Sequence, residues 1–302
     1  MRRESLFLIA LGVGVTAVSF SAIFIKWSQA PAGVLGMYRL LFTVVLLTPW
    51  IWRMRHEMYR LSGKEWWLLV SSGFFLGLHF LGWMGSLRYT SVASSMILLN
   101  LGPLFVMIGA YLFFKEKLRW QALIGMMIAF TGTAMIAGMD IELGPTALWG
   151  DFLSIFGALT VAIHMLIGQK LRMNISFLVY SYIVFIVAGL VLAAFNVVSG
   201  VPLLDYPARE WGLFLLLAIV PTIFGHLLFN WLLQYVKAIT IQVAILGEPV
   251  GAIVLAYFLL GEKVTLIQGV GGFLSICGIA WFIRVKDAAG VRQVENEWQE
   301  AG

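Results

Sequence analysis

Apolar residues run along this chain in ten blocks of about twenty, at 6–25, 33–52, 66–87, 91–114, 119–139, 147–168, 176–199, 211–235, 239–260 and 264–283, with short polar segments between them. A run of roughly 20 apolar residues is what an α-helix needs to cross the hydrocarbon of a bilayer. The alternating pattern of a transmembrane barrel is missing from the sequence. In hydrocarbon only helices and closed barrels satisfy the backbone. The pattern therefore predicts an all-α integral membrane protein with ten transmembrane helices. The first block follows Arg2 and Arg3; it is longer than the apolar region of a secretory signal, so it is read as an uncleaved span.

Composition agrees with this. Hydrophobic residues make up 61% of the 302 and charged residues 12%, with a mean hydropathy of +0.93. Soluble domains are about 45–50% apolar and about 25% charged, so a soluble enzyme is excluded, and ten spans leave no room for a separate soluble domain. The single Cys277 permits no internal disulfide and no cysteine-based metal site. The net charge of +5 is not a nucleic-acid footprint, because in a membrane chain the position of each Lys and Arg carries the information. With ten spans, Lys26, Arg88, Arg209 and Lys263 fall on one side of the membrane and Arg39 falls within the second span. The other fifteen of the 20 basic residues share the side of the N-terminus. The positive-inside rule then places both termini in the cytoplasm of a cell-membrane protein. The polar stretch 287–302 reads as a frayed cytoplasmic tail.

Shifting the chain against itself by 146 residues aligns Tyr89 with Tyr235, Pro103 with Pro249, Ala110 with Ala256 and Tyr111 with Tyr257. It also aligns Glu116 with Glu262, Lys117 with Lys263, Gly125 with Gly271 and Gly132 with Gly278. Matches at one fixed offset mark an internal repeat. Residues 1–145 form the first half, 146–286 the second. Each half has five spans, an odd number, so the second must enter the membrane inverted. Inverted repeats of this kind build alternating-access transporters.

These features carry a family resemblance. The RLLFTVVLL that follows Tyr38, the LRYTSVAS before the fourth span, the GEPVGAIVLAYFLLGEK of the ninth and the ten-span layout resemble the EamA family of the drug/metabolite transporter superfamily. The resemblance covers residues 6 to about 285. It implies a ten-helix exporter of amino acids, metabolites or drugs, with a central cavity between its halves and both termini cytoplasmic. The first half reads Gly102-Pro103 where the second reads Glu248-Pro249, so a site symmetric in charge is not expected.

The candidate site residues are those that hydrocarbon tolerates poorly. Pro103 and Pro249 each remove a backbone donor and free a carbonyl in mid-span, which predicts a helix break lining a cavity. Glu248 is the only acid near the centre of a span, where burying its charge costs about 2.5–3.5 kcal/mol. A proton site, an ammonium-binding group and a structural ion pair are all open to it. Arg39 could fork onto a substrate carboxylate, snorkel to the outer interface or hold a helix in place. His79 and Trp83 share a helix face, as do Thr222, His226 and Asn230 at steps of four. His79 and His226 are 147 residues apart, one off the repeat, which suggests near-equivalent places in a central cavity. His164 lies on a small-residue face with Ser154 and Gly157. Asn100 and Gln242 add neutral polar groups to the two proline-broken helices. No histidine pair sits at metal-ligand spacing, so no metal and no cofactor are expected. Without a Walker A pattern ATP does not drive transport directly. Small solutes, the bilayer and protons are the expected partners. A channel and an integral-membrane enzyme are the rival classes, and neither charge rings nor a convergent catalytic set favours them.

Overall fold

The computed structural model describes residues 3–86, 88–90, 92–137, 145–261 and 264–300, and these contain no strand. Arg2, Glu262 and Lys263, which figure in the charge pattern and the repeat, lie outside the described residues. The first three spans are α1 (Arg3–Trp27), α2 (Ala32–Tyr59) and α3 (Gly63–Ser86). The fourth is divided into α4 (Val92–Leu99) and α5 (Gly102–Phe114), and the fifth is α6 (Trp120–Ala137). In the second half, α7 (Pro145–Leu171) and α8 (Phe177–Val198) are the sixth and seventh spans. The eighth joins α9 (Ala208–Leu217) through a π-helical stretch, Ala218–Leu227, to α10 (Leu228–Leu232). The ninth is divided into α11 (Ala238–Ile245) and α12 (Glu248–Leu260), and the tenth is α13 (Leu266–Glu300). Among the described residues nine helices are long and apolar enough to cross a membrane, and Trp120–Ile136 is a shorter apolar tenth.

Two expectations shift. The basic segment after residue 52 is largely helical, because α2 continues to Tyr59; Arg55 lies over the Trp52 ring at 5.0 Å, so charge and aromatic surface pack on one helix. The segment expected to fray from residue 287 continues α13 as far as Glu300. Its Ala, Gln and Glu residues favour helix, and no proline interrupts them.

The repeat is visible in the backbone. α4 and α11, α5 and α12, and the starts of α6 and α13 are each displaced by 146 residues. So are Lys115 and Gly261, which cap α5 and α12 in the left-handed conformation at φ 56° and 69°. Packing obeys the same relation: α3 lies on α7 as the eighth span lies on α1, and α4 and α5 meet α7 as α12 meets α1. Two pairs join a helix to its own counterpart. α2 lies against α8, and α6 against α13. In the second pair a Cβ on Gly125 would sit 2.9 Å from the Gly278 carbonyl, and one on Gly271 would sit 2.7 Å from the Gly132 carbonyl. Only glycine allows backbones this close. Low numbers on α6 face high numbers on α13, so the counterparts are antiparallel. A two-fold relation between antiparallel helices reverses their direction, which makes the five-helix halves inverted.

Candidate functional site

Both broken spans begin their second segment with proline in its first turn, where the missing N–H is one of the helix's unpaired donors in any case. A proline frees the carbonyl four residues before it, here those of Leu99 and Ile245, as candidates to meet a substrate amine. The next carbonyl of the second break, that of Leu246, accepts from Thr133 Oγ1 at 3.0 Å and Ser275 Oγ at 3.1 Å, hydroxyls of α6 and α13. Ser19 Oγ of α1 lies 3.0 Å from the Glu248 carbonyl. Neighbouring helices thus supply hydroxyls to two carbonyls of the second break, those of Leu246 and Glu248.

The two breaks meet at a central cavity of about 70 Å³ lined by Arg39, His79, Trp83, Asn100, His226, Gln242 and Glu248. Seven of the residues singled out from the sequence thus come together, from α2, α3, α11, the two breaks and the π-helical stretch. Arg39 is 1% exposed. Its Nε donates to Thr222 Oγ1 at 3.1 Å, and its guanidinium carbon lies 4.9 Å from the centre of the Phe80 ring. It interacts electrostatically with Glu248 across the cavity, without a direct salt bridge. His79 Nδ1 donates to the Gly157 carbonyl at 3.0 Å, which fixes the tautomer of a neutral ring with Nε2 as acceptor. The His79 and Trp83 rings are stacked at 6.2 Å. Gly102 leaves room for Gln242, whose Oε1 would lie 2.8 Å from any Cβ added there.

Two candidates sit elsewhere. His164 packs between α3 and α8, with Nδ1 2.9 Å from Ser72 Oγ, which in turn lies 2.7 Å from Tyr180 OH. Asn230 donates to Ser181 Oγ of α8 at 3.0 Å. Its expected stripe assumed a regular α-helix, but Thr222 Oγ1 bonds the Leu217 carbonyl five residues back, inside a π-helical stretch. Asn230 itself lies in α10, past the end of that stretch, and is held by α8 rather than by the cavity. Phe80 was missed. Nothing distinguishes it among 22 Phe except its place one turn before Trp83.

Phe80 also borders a second cavity of about 300 Å³ at one end of the molecule, which reaches the exposed Arg88, Tyr89 and Trp149. At the opposite end polar contacts tie the helices together. There Glu116 accepts from Lys237 Nζ at 3.2 Å and Gln169 Nε2 at 3.1 Å. Arg172 donates to the Asn230 carbonyl at 2.8 Å and Gln234 Oε1 at 2.9 Å, and Glu57 Oε1 accepts from the Ser176 N–H at 2.6 Å. Among the described residues no cluster of three or more His, Cys, Asp or Glu could hold a metal ion.

The sequence pattern of the EamA-like transporter family matches residues 5–138 and 148–284, once in each half. The uncharacterized transporter YxxF of Bacillus subtilis is 24% identical over 233 residues, which cover 76% of this chain and 74% of that protein. An uncharacterized transporter of Archaeoglobus fulgidus is 24% identical over 65% of this chain and 69% of its own length. A solved crystal structure, 14% identical, superposes with a TM-score of 0.80 over 92% of this chain and 96% of that one, and so shares the fold.

Proposed function

This chain belongs to the EamA-like transporter family and is a membrane transporter; from that premise we propose a secondary carrier that exports small amphipathic metabolites, such as amino acids, by alternating access between its inverted halves. The observation that carries the reading is the central cavity. It joins one cation, one carboxyl, two imidazoles and two amides, with residues drawn from both repeats. It lies between a tied end and an end with a vestibule, as a binding site reached from one side at a time requires. Such a set suits a zwitterion with an apolar side chain. Glu248 is the candidate for proton coupling, with Arg39, His79 and His226 as the other titratable groups around the cavity. Both termini belong in the cytoplasm, and the end tied by Glu116 and Arg172 is the inner one, by the distribution of Lys and Arg.

Reconstitution into proteoliposomes tests the carrier. Saturating counterflow of an amino acid or related metabolite is the expected result. Linear flux would make the protein a channel, and a chemically altered product an enzyme. Orientation is tested in a Cys277→Ala background with single cysteines and an impermeant label applied from outside. Position 263 should be labelled and position 117 protected; the reverse pattern overturns the assignment.

A further inference from the structure

Among the described residues two buried side-chain donors lack a partner, and both line the central cavity: Arg39 Nη2 and Trp83 Nε1. Neither is short of neighbours. Arg39 spends Nε on Thr222 and one face of its guanidinium on Phe80, and Trp83 stacks on His79. These contacts fix both side chains in place and leave one nitrogen of each, from α2 and α3, with nothing to bond. A buried donor without an acceptor is destabilising, above all when it is charged. Glu248 faces the same cavity and makes no direct bridge to Arg39, so the protein's own carboxyl does not fill the gap.

What fits two unpaired donors is an acceptor with two oxygens. Arg39 offers the planar edge that matches a carboxylate, and the indole N–H donates only. Arg39 is the single cation lining the cavity, and the Glu248 carboxyl shares it, so a dianionic group such as phosphate is matched poorly in charge. We propose that Arg39 Nη2 and Trp83 Nε1 form a carboxylate-binding subsite, and that the transported solute docks there by its carboxylate. The proposal rests on the carrier reading and sharpens it: the carboxylate is required, and an amine is not sufficient.

The test uses the purified full chain in detergent and three matched probes: butanoate, 2-aminobutanoate and butylamine. Saturable thermal stabilisation is expected with the two carboxylates and not with the amine. The acid and the amino acid then compete directly, and their ranking separates a free monocarboxylate from a zwitterion as the source. Trp83→Phe keeps the ring and removes the N–H, and should weaken carboxylate binding about tenfold, the usual loss for a hydrogen bond to a charged group. Arg39→Gln should abolish it; because Arg39 also holds Thr222, Trp83→Phe decides the matter if that variant does not fold. Stabilisation by butylamine equal to that by butanoate overturns the subsite, as does an unchanged carboxylate affinity in Trp83→Phe. The two readings fail separately. Carboxylate binding that depends on Trp83, without counterflow, would sink the carrier and keep the subsite. Saturable counterflow of a solute lacking a carboxylate, indifferent to Trp83→Phe, would do the opposite.

Discussion

Where α4 gives way to α5 the chain reads Asn100-Leu101-Gly102-Pro103, and at the matching point between α11 and α12 it reads Leu246-Gly247-Glu248-Pro249. The helices stop and restart at equivalent residues in both places, so the backbone break is common to the two halves and the polar groups are not. The first break offers an amide and a bare glycine; the second offers a carboxyl. The glycine is occupied space, because Gln242 of the second half reaches towards it. The repeat thus supplies a symmetric frame and the cavity is assembled by division of labour. A frame that repeated every charge as well would put two carboxyls beside the single guanidinium of Arg39.

Restoring the symmetry is the harshest way to break this comparison. Gly102→Glu would bring a second carboxyl against Gln242, in a cavity with one cation, and is expected to cost about 3 kcal/mol of stability. A lowered melting temperature in detergent and lost transport would register it, whereas a stable, active variant would mean that the two breaks are interchangeable. Glu248→Gln removes the asymmetry from the other side. It should fold and should lose any pH dependence of uptake into proteoliposomes; an unchanged profile would move the titrating role to His79 or His226. Pro103→Ala and Pro249→Ala probe the shared part of the comparison. Each lets a broken span approach a continuous helix, and both are expected to slow exchange by a similar factor, a few-fold. A large effect of one and none of the other would show that the breaks are not equivalent in use. The smallest change is Thr133→Val, which removes one of the two hydroxyls on the Leu246 carbonyl and should cost about 1 kcal/mol.

The spans, the repeat and the positions of both breaks were legible in the sequence because each follows from a one-dimensional signal. Apolar run length gives the spans, a fixed offset gives the repeat, and proline, which cannot donate, gives the breaks. What resisted was whatever depends on the third dimension. Thr222, His226 and Asn230 share a helical stripe, yet Thr222 holds Arg39, His226 lines the cavity and Asn230 turns to Ser181 of α8, because the packed neighbours and not the spacing decide each partner. His164 has the same side chain as His79, yet Ser72 and Tyr180 surround it with partners from two other helices. Phe80 carries no polar atom to draw attention, and its importance lies in being shared by two cavities.

The glycine seam between α6 and α13 bears on how such a molecule could move. With carbonyls of one helix against the positions of missing side chains on the other, at Gly125, Gly132, Gly271 and Gly278, the two halves interlock there like the knuckles of a door hinge. Sliding along the seam would drive backbone into backbone, whereas turning about it leaves the contacts in place. Displacement about an axle grows with distance from it, so small rotations at the seam would be felt most by the helices on the far side of the molecule. Gly132→Leu, which would prise the knuckles apart, should therefore halt exchange even though it lies outside the lining of the central cavity. The stillest part of the structure would then set the path of everything that swings.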